Sequence, residues 1–167
     1  MQVRPKADGD QAWVSAILGQ LWGSPQILAG GKVFDAANLP ALIAGERDGL
    51  ATFAIAPDRA SARLVTLNAL TPRQGVGTAL IEALAAQLAT DGIPLLRVST
   101  TNDNIDALRF YQRRDFRIAT VHADAIDRAR QRKPSIPLTG HYGIAIHDEF
   151  ELIREVGQRV GTGLSPL

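Results

Sequence analysis

The chain has 167 residues, 46% of them hydrophobic and 21% charged, which suits one soluble domain with a sizeable core. Its 18 basic and 17 acidic side chains leave a net charge of +1, so bulk charge does not recruit nucleic acid. No cysteine is present, which excludes disulfides, thiolate metal sites and a cysteine nucleophile and fits a cytoplasmic setting.

The opening Met1-Gln2-Val3-Arg4-Pro5-Lys6 lacks the apolar core of a signal peptide, and no apolar run nears the roughly 18 residues that span a membrane. Residues 2–4 read as a short strand, and residues 10–21 as a helix with Trp13, Ile17, Leu18 and Leu21 on one face, stopped by Gly23-Ser24-Pro25. Gly30-Gly31-Lys32 is a flexible break. Strand-like runs follow at residues 41–46, 50–56 and 63–70, the first two joined by a hairpin turn at Arg47-Asp48-Gly49. Residues 77–90 stack Leu80, Leu84 and Leu88 with Ile81 beside them on a helix that Gly92 ends. A strand at 95–100 leads to the N-cap cluster Asn102-Asp103-Asn104 and a short helix reaching Arg114. Residues 116–121 are strand, 122–132 a polar helix, 133–146 a loop punctuated by Pro and Gly, and 150–156 a last strand before a fraying tail from Gly157. No repeat or second boundary is visible, so residues 1–167 form one domain. Its class is α/β of the α+β type: a mixed, mostly antiparallel sheet with helices on both faces.

The segment Thr71-Pro72-Arg73-Gln74-Gly75-Val76-Gly77-Thr78-Ala79 carries the chemistry. A strand that empties through two glycines into a helix start builds an anion site, because glycine permits close backbone approach and the first helical N–H groups are free. Gln74, Gly75, Val76, Gly77, Thr78 and Ala79 are its expected ligands, with Gly77 bare so that phosphate can come close. A Walker loop needs Gly-Lys-Ser/Thr, which is missing. A dinucleotide fingerprint needs a small third residue where Leu80 stands and an acidic residue where Ser99-Thr100-Thr101 stands.

Asn104-Ile105-Asp106-Ala107-Leu108-Arg109-Phe110-Tyr111 follows the next strand. A Gly-rich loop after the fourth expected strand and an Asn-x-x-Ala-x-x-x-Tyr helix after the fifth, in this order and at this distance, resemble the GNAT family of acetyl-CoA-dependent N-acetyltransferases. Residues 41–121 carry the resemblance best, and the segments Lys133-Pro134-Ser135-Ile136-Pro137 and Gly143-Ile144-Ala145-Ile146-His147-Asp148-Glu149 also look like a C-terminal pattern of one bacterial branch. Two positions depart from the pattern. Pro72 stands where Arg or Gln is usual, and Asp115 ends the helix where Gly is usual, although Asp tolerates the left-handed conformation better than most residues.

The resemblance implies the acyl-CoA N-acyltransferase fold and an acetyl-CoA co-substrate whose pyrophosphate sits on the Gly75 loop. It implies a cofactor contact from Asn104, a backbone N–H near Asn68, Ala69 and Leu70 that polarises the thioester carbonyl, and Tyr111 as the acid that protonates the leaving thiolate. A phenol near pKa ~10 can donate to a thiolate whose conjugate acid is near about 8.5. The competing reading of Tyr111 is a core residue. Among carboxylates, Glu46, Asp48, Glu149 and Glu151 read as solvated groups, and no general base stands out. His122, His141 and His147 lack metal-ligand spacing, so no metal is expected. Trp13, Trp22 and Phe34 read as core or acceptor-pocket wall. Arg109, Arg113 and Arg114 read as a solvated helix face, from which one, or Arg73, could meet the cofactor's 3′-phosphate. The acceptor is expected to be a small-molecule or peptide amine, lined by residues 122–147, which should contribute little to CoA binding, with no nucleic-acid or membrane partner; the family commonly forms homodimers. A non-catalytic acetyl-CoA-binding module is the alternative.

Overall fold

A computed structural model describes residues 1–71 and 74–157; the expectations for Pro72, Arg73 and the tail beyond Gly157 lie outside the described residues. The elements in chain order are β1 (Val3–Pro5), α1 (Gln11–Trp22), β2 (Gln26–Ala29), β3 (Lys32–Asp35), β4 (Ala41–Ala44), β5 (Gly49–Ile55) and β6 (Ala62–Ala69). They continue with α2 (Val76–Thr90), β7 (Leu95–Thr101), α3 (Ile105–Gln112), β8 (Arg117–His122), α4 (Ala125–Arg132) and β9 (Glu149–Glu155). Seven strands form one sheet in the order β1-β4-β5-β6-β7-β9-β8. Among the described residues only the β6–β7 pair is parallel, as a crossover through α2 requires.

The periodicity of α2 explains the larger core. Leu80, Ile81, Leu84 and Leu88 are fully buried against Leu42, Ala51, Phe53 and Leu64 of the sheet. Each such side chain contributes roughly 1.5–3 kcal/mol by leaving water. The other face is covered by α1, where Val14 and Leu18 pack on Ile43, Leu50 and Val65. Helices therefore lie on both faces, as the sequence predicts.

Four expectations shift. Leu21 was placed on the buried face of α1 but is exposed. At 100° per residue it stays within about 20° of Val14, so its exposure does not come from a change of helical phase. The break at Gly30-Gly31 is a tight hairpin, both glycines at positive φ, joining β2 to β3 as a separate two-stranded sheet. The β4–β5 turn lies earlier than Arg47-Asp48-Gly49: Gly45 and Arg47 take the positive φ values, and Gly49 already pairs in β5. Finally, α3 ends at Gln112, short of Arg114. Asp115 adopts φ 64, the left-handed conformation expected where the family places glycine.

Candidate active site

The sheet opens at its one parallel pair. β6 and β7 are in register only through Ala62↔Leu96, Arg63↔Arg97 and Leu64↔Val98. Beyond that point β6 continues along β5 to Ala69, and β7 continues along β9 to Thr101, with no pairing between them. A bulge marks the fork. The β5 register steps from Phe53↔Leu64 to Thr52↔Thr66, so Val65 is an extra residue. Below the bulge Leu64 belongs to the α2-side core; above it Leu67 packs on that side, while Asn68 faces α1 and receives the Trp22 indole N–H on Oδ1 at 2.9 Å. That bond fixes the orientation of the Asn68 amide, and among the described residues its buried Nδ2 has no partner. The Leu70 N–H, expected among the polarising donors, is spent on the Asp48 carbonyl at 2.8 Å. Because N–H direction alternates along a strand, Leu67 and Ala69 turn theirs toward the fork.

Next to the fork, α2 begins. Gly75 takes φ 72 at the N-cap with no side-chain cap, and the first helical bond is Ala79 N–H to the Gly75 carbonyl at 2.9 Å. Ala79 is therefore not a free donor, a correction to the sequence expectation. Val76, Gly77 and Thr78 occupy the first-turn positions whose N–H groups have no intrahelical acceptor. The role expected of Gly77 also changes. A Cβ there would lie 3.0 Å from the Phe110 ring, so its bareness lets α3 close against α2. Among the described residues nothing lies within 4 Å of where a Cβ on Gly75 would stand.

Arg114 joins the two helices and is no solvated surface group. Its Nε donates to the Thr78 hydroxyl at 2.9 Å, Nη1 donates to the Phe110 carbonyl, and the guanidinium lies 3.6 Å over the Phe110 ring. With Thr78, Asp106, Arg109, Phe110 and Arg113 it lines a cavity of about 430 Å³ at the start of α2. Three guanidinium groups facing one helix N-terminus make an anion-attracting surface.

Asn104 is the N-cap of α3 and accepts the Ala107 N–H at 3.1 Å. Tyr111 lies one helical turn past Ala107, with its ring in edge contact with Phe110 and Phe116 at centroid distances of 5.4 Å. It is 8% exposed, and burial pushes its phenol above the ordinary value. Among the described residues its hydroxyl makes no hydrogen bond.

The segment 133–146 is strapped to the end of β7. Asp103 is buried and accepts from the Thr101 hydroxyl, the His141 N–H at 3.0 Å and the His141 ring at 2.9 Å. Burial would raise this carboxyl, and the combined hydrogen bonds hold it below its ordinary range. Tyr142, also from this segment, donates to Asp106 at 2.7 Å, and Asp106 lines the arginine cavity. The segment thus meets the wall of the arginine cavity as well as the β7 corner. Asp103 reads in the sequence only as part of an N-cap cluster, because its partner His141 lies 38 positions away along the chain.

The expected solvated carboxylates divide. Glu151 is enclosed and takes Arg63 at 2.7 Å and Arg97 at 3.5 Å. Burial pushes the Glu149 carboxyl up, against the pull of Arg63 and His122. Asp48 accepts from the Thr71 hydroxyl. The three histidines pair with separate carboxylates, and no metal-holding group occurs among the described residues. Phe34 lines a second cavity, Trp22 covers Asn68, and Trp13 packs at the edge of the α1 core beneath Arg47.

A mostly antiparallel sheet, forked at its parallel pair beside an uncapped helix start, is the acyl-CoA N-acyltransferase fold. Residues 45–116 match the acetyltransferase (GNAT) family. The uncharacterized protein YxbD of Bacillus subtilis (strain 168) is 32% identical over 160 residues, covering 93% of this chain and 99% of its own. The chain belongs to the GNAT acetyltransferase family. Among solved structures, the ribosomal-protein-S18-alanine N-acetyltransferase of Escherichia coli superposes with a TM-score of 0.64 at 17% identity, over 99% of both chains. A GNAT acetyltransferase of Elizabethkingia anophelis with acetyl-CoA bound superposes with a TM-score of 0.65 at 16% identity, over 93% of this chain and 97% of that one. No helix among the described residues is long and apolar enough to cross a membrane.

Proposed function

We propose that this protein transfers the acetyl group of acetyl-CoA to the primary amine of a small molecule or peptide by direct attack on the thioester. The observation that carries this reading is the fork between β6 and β7, open beside the free first-turn N–H groups of α2. The pyrophosphate would lie on Val76, Gly77 and Thr78, and the pantetheine arm would enter the fork along β6. In the fork a main-chain N–H, from Leu67 or Ala69, would receive the thioester carbonyl. The amine nitrogen bonds to the carbonyl carbon, the C–S bond breaks, and the thiolate takes the Tyr111 hydroxyl proton while the new amide gives up its own to solvent or a nearby carboxylate. A phenol raised by burial stays protonated at neutral pH, as an acid must. The acetyl-CoA bound to the Elizabethkingia relative supports the choice of donor.

The enclosed position of Tyr111 between two aromatic rings favours the second reading, an acetyl-CoA-binding module in which Tyr111 only packs. Affinity measurements test the cofactor half of both readings. Arg109→Glu combined with Arg113→Glu should weaken acetyl-CoA binding by about tenfold or more, because each charge-assisted phosphate contact carries about 1.5–3 kcal/mol. Calorimetry at two salt concentrations checks this, and an unchanged Kd would remove the arginine cavity from the cofactor site.

A further inference from the structure

We propose that the acceptor carries a carboxylate as well as its amine, and that Lys32 and Arg97 bind that carboxylate. The proposal rests on the acetyl-transfer reading and adds the chemistry of the acceptor's far end.

A cavity of about 400 Å³ lies where the β2–β3 hairpin covers the sheet, lined among others by Lys32, Phe34, Ile55, Arg63, Arg97 and Glu151. The hairpin is seated closely there: a Cβ on Gly30 would collide with the Arg63 guanidinium. The charges do not balance. Glu151 is matched by Arg63 at 2.7 Å, and the other arm of Arg63 donates to Ser99 Oγ at 2.8 Å. Arg97 reaches Glu151 only at 3.5 Å, outside its hydrogen bonds, and its side chain stays 35% exposed. Lys32 is exposed and forms no ion pair among the described residues. Glu149 accepts from the Gly30 backbone N–H within the field of Arg63, and His122 lies 3.7 Å from Glu151. Counting Glu149 as ionised, three cations still face two carboxylates.

The remaining attraction is for an anion, held between a lysine on the hairpin and an arginine on β7. Phe34, Ala54, Ile55 and Pro57 supply an apolar wall for a short hydrocarbon linker. Arg63 precedes the bulge by two residues, and the fork begins at Val65. At about 3.3 Å per residue, roughly 7–13 Å separate the cationic floor from the fork, the span of a short amino acid with its amine and carboxylate at opposite ends.

The test compares ε-aminocaproate with its neutral amide as acceptors, in the wild type and in Lys32→Glu/Arg97→Gln. In the wild type, kcat/KM for ε-aminocaproate should exceed that for the amide by about tenfold or more, the difference expected of a charge-assisted contact. The double variant should erase this preference, with acetyl-CoA affinity and the rate on the amide as internal references. Equal use of both amines by the wild type, or an equal loss on both in the variant, would overturn the proposal. Absence of thioester cleavage with every amine would count against the acetyl-transfer reading itself. In that event calorimetry of ε-aminocaproate and its amide with the CoA-saturated proteins still decides. Carboxylate-selective binding that disappears in the double variant upholds the site, and its absence overturns it.

Discussion

Tyr111→Phe should lower the single-turnover rate by roughly 10- to 1,000-fold, the contribution of a positioned general acid, while acetyl-CoA affinity stays within about twofold. The substitution deletes one hydroxyl that makes no hydrogen bond among the described residues, and the ring keeps its edge contacts with Phe110 and Phe116. Folding should therefore be unaffected, and the loss should fall on the chemical step. The sign of the pH dependence follows from burial. A phenol raised above its ordinary value of about 10 remains protonated through the neutral range, so Tyr111 should add no alkaline decline below about pH 9. Rapid-mix kinetics with enzyme sites in excess over acetyl-CoA, at saturating amine, measures both effects. An unchanged rate would return Tyr111 to a packing role and favour the non-catalytic module.

Gly77→Val should destabilise the whole domain. Its Cβ would arrive 3.0 Å from the Phe110 ring, and Arg114 stacks over that ring while holding Thr78. Overpacking of this kind costs about 1–3 kcal/mol, which lowers Tm by roughly 2–12 °C in a chain of this size. Thermal denaturation without ligand reads the effect directly; an unmoved Tm would mean that α3 can draw back at no cost. The sequence alone suggests a different outcome for the same substitution, an intact fold with lost cofactor binding. A Gly-x-Gly pattern reveals that two residues must be bare without revealing what each makes room for. Gly75 is needed for its backbone conformation and Gly77 for a neighbouring helix.

That contrast is representative of what was legible. Local patterns located nearly every element: the leucine ladder of α2, the Asn104 cap, and the left-handed Asp115 all stand in the sequence as spacing or residue type. The β2–β3 hairpin is a miss: Gly30-Gly31-Lys32 reads as a flexible break, whereas the Gly-Gly pair is the two-residue turn between Gln26–Ala29 and Lys32–Asp35. The candidate site depends on longer-range contacts. Trp22 reaches Asn68 across 46 positions, and Arg63 reaches Glu151 across 88. No periodicity within either segment records such a contact. Leu70 and Ala79 failed as donors for a related reason: each N–H is bonded to a carbonyl that only the folded turn brings near.

The extra residue at Val65 has a consequence for how this scaffold tolerates change in length. It acts as a phase shift: on its two sides the same parity of residue number points to opposite sides of the sheet. Deleting Val65 would leave the composition of β6 almost untouched, yet Asn68 would swing toward α2 and Leu67 toward α1. The buried amide would then leave the side of the sheet on which Trp22 reaches it. A residue added in the β5–β6 connection, before pairing begins, would leave that phase alone. Substitution along β6 therefore keeps each remaining side chain on its own side of the sheet, whereas insertion or deletion there does not.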